Sequence, residues 1–279
     1  MEYKNPLVLN YPKLTSRDNS GFGYRNATLG LKNIRFYNCM IIYIKNARLQ
    51  IKTKDGVAIT IPPDSICYFE KNVVIDAALY VFGNGIPYEI FHINNDVLNS
   101  VTKVMEPLLF HSIKIKHNRK KIFNHQVNET DQKLFETLKQ NNLPQHRKIY
   151  MLAYLLSKFS DIESLVYSLS VSTDTTFTEK IKMIIESDLS KSWRLQDVAK
   201  ILHISEIAIR KKLEKENNNL KKLIIDIRMH NAAKLITTTE KHINNIAYDV
   251  GYMSTSYFIR NFKSYFGITP KQFSLKIKR

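Results

Sequence analysis

Near its C-terminal end the chain writes one pattern twice, and that pattern fixes what the surrounding residues can become. The first copy runs from Trp193 to Ala199 (WRLQDVA) and on into Ser205 to Leu213 (SEIAIRKKL). The second runs from Ile246 to Tyr252 (IAYDVGY) and on into Ser254 to Phe262 (STSYFIRNF). In each, an Ala lies in a short first helix and a tight turn follows. A Ser then stands where its side-chain oxygen can accept from the orphan amides of a second helix. Apolar residues fall four and eight positions after that Ser, Ile209 and Leu213 in one copy and Phe258 and Phe262 in the other, which is the spacing of one helical face. The remaining positions of each second helix must then face outward: Ile207, Arg210 and Lys211 in the first copy, and Thr255, Ser256, Arg260 and Asn261 in the second. Gly251 supplies the positive-φ residue that the second turn asks for, and His203 holds the matching place in the first. A helix stop at Gly267 and a new start at Thr269, with Pro270 at the first helical position, follow the second copy. The pattern is that of a helix-turn-helix, used twice.

The unbroken stretch from Asn245 to Phe273 (NIAYDVGYMSTSYFIRNFKSYFGITPKQF) resembles the C-terminal signature of the AraC/XylS family of bacterial transcription regulators. The likeness extends from about Phe177 to the end of the chain. The resemblance implies a seven-helix, all-α DNA-binding domain whose two helix-turn-helix motifs are joined by a long helix, here Leu220 to Ile236. A helix of that length spans about 25 Å, so the two recognition helices can reach successive major-groove faces about 34 Å apart. On this reading Ile207, Arg210, Lys211, Thr255, Ser256, Arg260 and Asn261 are the DNA-binding residues, and promoter DNA and RNA polymerase are the partners. The Lys- and Asn-rich composition suits a gene of high AT content and AT-rich target promoters.

Charge agrees with a polyanionic partner without supplying specificity. The formal net charge is +17, and residues 177–279 hold 20 Lys and Arg against 10 Asp and Glu, while residues 1–176 hold 22 against 15. Basic charge raises nonspecific DNA affinity through counterion release, but it would serve an anionic membrane surface equally well; the duplicated motif decides for DNA. No apolar run approaches the roughly 18 residues of a membrane span, and the start, Met1 to Pro6, lacks the apolar region of a signal peptide. A cytoplasmic location with no membrane partner is the expectation. Cys39 and Cys67 sit in strand-like apolar surroundings and read as buried, reduced thiols; their number excludes a disulfide framework or a Cys-rich zinc site. Neither a Gly-x-x-x-x-Gly-Lys phosphate loop nor a Gly-x-Ser-x-Gly elbow occurs, and the histidines form no His-x-x-x-His pair. No catalytic residues, metal site or cofactor are therefore expected, and the chain does not read as an enzyme.

The N-terminal part changes texture. Between about Ile34 and Ile93, short β-branched and aromatic runs alternate with turn signals at Lys45 to Ala47, Lys54 to Gly56, Pro62 to Asp64, Lys71 to Asn72 and Gly83 to Gly85, the spacing of a small β barrel or sandwich. Asp96 opens a helix with Val97, Val101, Val104, Met105 and Leu108 on one side; a second runs from Asp131 to Asn141; and Pro144 begins a third with Ile149, Leu152, Leu156 and Phe159 at helical spacing. That last stripe has two readings, packing against the barrel or also meeting a second subunit. Ser168 to Thr176 is Ser- and Thr-rich, lacks periodicity, and reads as a linker. The fold class is thus α+β in two domains. A β-rich, cupin-like effector and dimerisation domain covers 1–167 with helices from about 96, a linker covers 168–176, and the DNA-binding domain covers 177–279.

This arrangement is similar to that of enteric virulence regulators within the AraC/XylS family. The resemblance implies an activator of fimbrial, adhesin or toxin genes, a homodimer formed through the helix near 145–160, and a small carboxylate effector, a fatty acid or bicarbonate, held where the two domains meet. An anionic headgroup needs strong donors beside apolar surface, and Lys32, Arg35, Lys45, Arg48, Lys52 and His92 surround the barrel, most of them as solvated strand-face charges. Aligned with one such regulator, Tyr37 and His92 fall where ligand-contacting side chains lie. They form the candidate effector pair.

Overall fold

The computed structural model describes residues 28–82, 85–108, 119–140 and 142–277. The chain start, Gly83 and Asn84 of one expected turn, and Asn141 at the expected end of the second helix lie outside the described residues. Two compact units divide between Asp174 and Thr175.

Among the described residues the first unit contains eight strands: β1 (Thr28–Phe36), β2 (Met40–Ile44), β3 (Ala47–Thr53), β4 (Ala58–Ile61), β5 (Ser65–Phe69), β6 (Val73–Val81), β7 (Tyr88–His92) and β8 (Ile122–Gln126). They form two four-stranded sheets, in the orders β1-β6-β3-β4 and β7-β2-β5-β8, and every pairing is antiparallel. The sequence explains the layering. In β2 (MIIYI) and β5 (SICYF) every position is buried, so this sheet must be covered on both faces. On one face, Ile41, Tyr43, Ile66, Tyr68 and Phe123 enter a core built with helices. On the other, Phe69 meets Phe36 of the first sheet with ring centroids 4.7 Å apart. In β3, by contrast, buried and exposed positions alternate, which leaves one face of that outer sheet in water. The result is a β sandwich with helices laid on its inner sheet.

Those helices are α1 (Asn95–Met105), α2 (Glu129–Leu138), α3 (Gln145–Ser157) and α4 (Ile162–Thr173). Their boundaries correct the sequence reading in three places. Asn94, whose side chain accepts from the Val97 amide, caps α1, and Asp96 sits inside the first turn; Val104, at the margin of the apolar stripe, is exposed. Asn128 and Asp131 form a reciprocal capping box that starts α2 before Asp131. The largest correction concerns 168–176. Ser168 to Thr173 is the second half of α4, with Ser168 and Ser172 fully buried, and only Asp174 to Thr176 separates α4 from the next helix. Hydroxyl-rich composition misleads there because a buried helix can absorb it. The Ser172 hydroxyl donates to the Ser168 carbonyl at 2.7 Å and the Ser168 hydroxyl donates to Glu70 at 2.6 Å, while Leu165, Val166 and Leu169 carry the apolar face. Of the α3 stripe, Leu152, Leu156 and Phe159 are buried in the core of their own unit. Its outward face carries Tyr150 and Tyr154 instead.

The second unit is helical: α5 (Phe177–Glu186), α6 (Leu195–Leu202), α7 (Glu206–Lys215), α8 (Leu220–Thr238), α9 (Ile243–Asp249), α10 (Thr255–Phe266) and α11 (Pro270–Ile277). Helix α8 extends about 28 Å and is buried around much of its circumference, at Leu223, Ile227, Met229, Ala232, Ala233 and Ile236 among others, as a helix with apolar residues on several sides must be. Leu220, Leu223 and Ile227 join Ile181, Ile185, Trp193, Val198, Ile209 and Leu213 in one core. Around His230 of the same helix gathers an aromatic cluster: its ring lies 5.6 Å from Tyr265 and 5.5 Å from Phe266, and Phe262 packs 4.7 Å from Phe266 and 5.5 Å from Phe273.

The first unit buries an ion pair between Glu70 and Arg119. Glu70 is only 5% exposed; its carboxylate accepts from both terminal nitrogens of Arg119, one at 2.6 Å, and from Ser168. That joins the end of β5, the approach to β8 and the middle of α4. Removing one member of a buried pair strands the other charge away from water. Arg119→Ala is accordingly expected to destabilise this unit by about 3 kcal/mol, measured by urea denaturation of the full chain followed by circular dichroism; a loss below about 0.5 kcal/mol would mean that the pair behaves as a surface ion pair.

Candidate nucleic-acid interface

The two repeated turns close by the same hydrogen bond. After α6, His203 adopts φ 52° and the Ile204 amide donates to the Ala199 carbonyl at 3.2 Å. After α9, Gly251 adopts φ 82° and the Tyr252 amide donates to the Ala247 carbonyl at 2.9 Å. A left-handed residue followed by this reach back to the helix is a standard C-terminal stop, and it leaves the chain pointed into the next N-cap. Ser205 accepts from the Ala208 amide at 3.2 Å and Ser254 from the Tyr257 amide at 3.4 Å. The second turn is one residue longer, and the extra residue is Met253, 89% exposed.

Behind each cap the apolar pair turns inward as its spacing requires: Ile209, Leu213, Phe258 and Phe262 are all buried. Of the residues expected to face outward, Ile207 is 66% exposed, and Arg210, Lys211, Ser256 and Arg260 are exposed. Thr255 and Asn261 are half-buried, at the flanks of α10 and not on its crest. Arg210 makes a loose i,i+4 pair with Glu206 at 3.6 Å, a contact weak enough to exchange for another acceptor. Sequence reasoning passed over Tyr257. It is 51% exposed and lies under the Arg260 guanidinium, 5.3 Å from ring centroid to Cζ. Its position three residues before Arg260 and outside the 258/262 stripe was the available signal; an aromatic beside a core Phe reads too easily as core.

What holds the two motifs in one frame is Arg228 of α8. Its Nη2 donates to the Lys191 carbonyl at 2.9 Å, ahead of the first motif, and its Nη1 donates to the Gly251 carbonyl at 3.2 Å, in the turn of the second. Its guanidinium also lies 5.9 Å from the centre of the Tyr252 ring. Burial pushes its pKa below the ordinary arginine value, with the nearby Tyr252 and Asp188 acting in the opposite direction. The loop it grips is itself pinned: Asp188 accepts from the Ser190 and Lys191 amides at 3.0 and 3.1 Å, and its carbonyl accepts from the Trp193 indole at 2.8 Å.

A family model described as a helix-turn-helix domain matches residues 198–276, which takes in both turns and both capped helices. The chain is 40% identical to the HTH-type transcriptional activator FapR of Escherichia coli over 252 residues, covering 89% of this chain and 96% of the relative. It is 36% identical to the virulence regulon transcriptional activator VirF of Shigella flexneri over 250 residues, covering 88% and 95%. The chain belongs to the AraC/XylS family of bacterial transcription regulators. Its fold matches that of ToxT from Vibrio cholerae with a TM-score of 0.71 at 21% identity, over 92% of this chain and 97% of that one. The unsaturated-fatty-acid-bound form of ToxT gives a TM-score of 0.67 at 21% identity, over 91% and 92%.

Within this AraC/XylS chain the expected effector residues fall at one end of the inner sheet. His92, the last residue of β7, pairs with Met40, the first residue of β2, and Tyr37 lies in the segment leading into that strand. Tyr37 is buried, with the Arg35 guanidinium 6.0 Å from its ring, and His92 is half-buried. The other basic candidates are dispersed. Lys45 is paired with Glu89 at 3.0 Å, Arg48 lies over Phe82 at 5.7 Å, Arg35 is buried, and Lys32 and Lys52 are exposed. Among the described residues no group of three His, Cys, Asp or Glu side chains could hold a metal ion, and no helix is long and apolar enough to cross a membrane.

The two turns share a conformation but not a tolerance for side chains. A Cβ on Gly251 would lie 2.4 Å from the Leu189 carbonyl oxygen and 2.7 Å from Arg228 Nη2. Gly251→Ala should therefore cost more than about 2 kcal/mol, whereas His203→Gly, which only relieves a left-handed residue, should stay within about 1 kcal/mol of wild type. Thermal denaturation of both variants checks this; equal small losses would show that the two turns are interchangeable.

Proposed function

We propose that this AraC/XylS regulator is a sequence-specific activator of virulence genes that reads AT-rich promoter DNA with α7 and α10 together. The observation that carries the reading is the duplication. Two helices, each following a left-handed turn and a Ser cap and each with a buried stripe, leave basic outer faces, and one arginine of α8 bonds both the loop ahead of the first motif and the turn of the second. Arg210 and Arg260 are placed to contact bases, Lys211 to contact phosphate, and Ile207 to meet a thymine methyl group; Thr255, Ser256 and Asn261 complete the surface at closer range. The names of the VirF and FapR relatives support activation, and activation implies contact with RNA polymerase. Action on promoter DNA places the protein in the cytoplasm. Residues 175–279 serve as the DNA-binding part and the unit ending at Asp174 as the sensing part; self-association is assigned to the Tyr150 and Tyr154 face of α3, since its apolar stripe is consumed by the core.

The test uses a duplex selected by the full chain from a random-sequence library. Arg210→Ala and Arg260→Ala are each expected to weaken binding by about tenfold, the value of one base contact, with circular dichroism unchanged. Lys211→Ala should flatten the salt dependence by about one unit of slope, and Ser256→Ala should shift sequence preference more than total affinity. Unchanged affinity in both arginine variants would remove α7 and α10 from the interface.

We further propose a fatty acid as effector of the N-terminal unit, with Tyr37 and His92 donating to its carboxylate. The fold shared with fatty-acid-bound ToxT supports the class of ligand, and the joint location of the two residues at one end of the inner sheet supports the pair. Each buried methylene contributes about 0.8 kcal/mol, and regulation requires different affinities for two states of the protein. Medium- and long-chain fatty acids should raise Tm and change affinity for the selected duplex, and Tyr37→Phe combined with His92→Ala should blunt both effects. Bicarbonate serves as the second arm of the same assay: a response to bicarbonate alone would replace the ligand, and silence in both arms would end the sensor reading.

A further inference from the structure

Helix α5 begins at Phe177, just past the division between the units at Asp174 and Thr175. Its first turn is thus where the chain passes into the DNA-binding unit. The opening amides of a helix have no partners within it, yet here they are satisfied in sequence. The Thr176 amide donates to Glu179 at 3.0 Å and the Glu179 amide to the Thr176 hydroxyl at 3.1 Å. The Phe177 and Thr178 amides donate to the two carboxylate oxygens of Glu216, both at 2.8 Å.

Glu216 belongs to the other end of the problem. It is the C-cap residue of α7, where a negative charge opposes that helix's own dipole. The same carboxylate lies at the positive end of the α5 dipole, and there it forms charge-assisted bonds to two amides that would otherwise face water. One turn earlier, Lys212 of α7 sets its ammonium 5.1 Å from the centre of the Phe177 ring. The last turn of the first recognition helix therefore clasps the first turn of α5 by two hydrogen bonds and a cation–π contact. The second recognition helix ends differently, at Gly267, which has no side chain to offer.

We propose that Glu216 is a positioning residue for DNA reading: it sets the placement of α7 from the point where the chain passes into the DNA-binding unit, so that a displacement of residues 174–177 is transmitted to the first helix-turn-helix and not to the second. The proposal rests on α7 being a recognition helix, and the experiment separates the two ideas.

The experiment uses the full chain, the duplex selected by wild type, and two derivatives in which either the segment read by α7 or the segment read by α10 is scrambled. The α7 segment is mapped by the footprint that Arg210→Ala loses. Glu216→Ala is expected to bind the selected duplex about tenfold more weakly, roughly 1.4 kcal/mol, to lose protection over the α7 segment only, and to match wild type on the duplex whose α7 segment is scrambled. Glu216→Gln, which keeps one acceptor oxygen, should fall between, and Thr176→Ala, which loosens the neighbouring cap, should show the same segment-specific signature. Amide hydrogen exchange on the wild-type chain gives a readout that survives even if a variant fails to fold: the Phe177 and Thr178 amides should exchange slowly, although helix-opening amides ordinarily exchange fast. Fast exchange at both overturns the clasp. Equal loss on both scrambled duplexes, or no loss in Glu216→Ala while Arg210→Ala remains defective, overturns the positioning role and leaves α7 as a recognition helix. If the wild-type chain selects no sequence and Arg210→Ala changes nothing, the recognition reading fails and this proposal falls with it.

Discussion

The close approach at Gly251 governs the DNA-binding unit. The loop ahead of the first motif and the turn of the second come so near that the Leu189 carbonyl and the Arg228 guanidinium occupy the space a side chain would need. Gly251 is therefore specified twice, once by its positive φ and once by the absence of room. The same approach gives Arg228 its function as a bridge, because a carbonyl from the loop ahead of the first motif and one from the turn of the second lie within reach of one planar donor group. A lysine could reach one of those carbonyls as a point charge but could not present two donors in fixed geometry. The spacing of two recognition helices, which no single helix-turn-helix encodes, becomes a property of this junction and of the buried α8 behind it.

The N-terminal unit meets a different constraint. Its inner sheet is covered on both sides, so the polar groups at that sheet's margin must be answered from within. Glu70, Arg119 and Ser168 form one such answer. The Cys39 thiol and the Tyr68 hydroxyl, 3.2 Å apart, form another. Burial raises the Cys39 pKa, in keeping with a thiol that packs in the core beside the Tyr68 hydroxyl. The Ser residues of α4 belong to the same economy of buried polarity. Their hydroxyls look like solvent-facing linker chemistry in the sequence, but Ser168 finds its acceptor in Glu70, just past the end of β5, and Ser172 finds its own in the Ser168 carbonyl.

This marks where the sequence was legible. The duplicated motif could be read almost residue by residue because every signal in it is local: the caps at Ser205 and Ser254, the stripes at 209/213 and 258/262, and the left-handed turns at His203 and Gly251 all act within one or two helical turns. The β character of residues 34–93 was legible from alternation and turn chemistry, and so was the burial of both cysteines. What could not be read depends on partners distant along the chain. Arg228 has its acceptors 37 and 23 residues away, Ser168 has its acceptor 98 residues away, and Glu216 finds its donors 38 and 39 residues back. Tyr257 was missed for a related reason: its exposure is decided by how α10 rests on the aromatic cluster, and neighbouring Phe258 gives no hint of it.

The two motifs, although built alike, are held unequally. The second is confined by the glycine junction at its turn and by the stack of Phe258, Phe262, Phe266 and Phe273 beneath its recognition helix. The first has a His where the second requires a Gly, an aliphatic underside at Ile209 and Leu213, and a basic recognition helix ended by Glu216 in α5's first turn. Dense aromatic packing and an irreplaceable turn make the second motif the fixed reference of the pair. The first rests on the aliphatic core around Ile209 and Leu213 and adds the Glu216 bonds at a half-exposed helix end, where water can compete for the carboxylate. The two motifs thus share a backbone plan and differ in what fixes each one: an aromatic stack and a glycine junction for the second, an aliphatic core and the Glu216 bonds for the first.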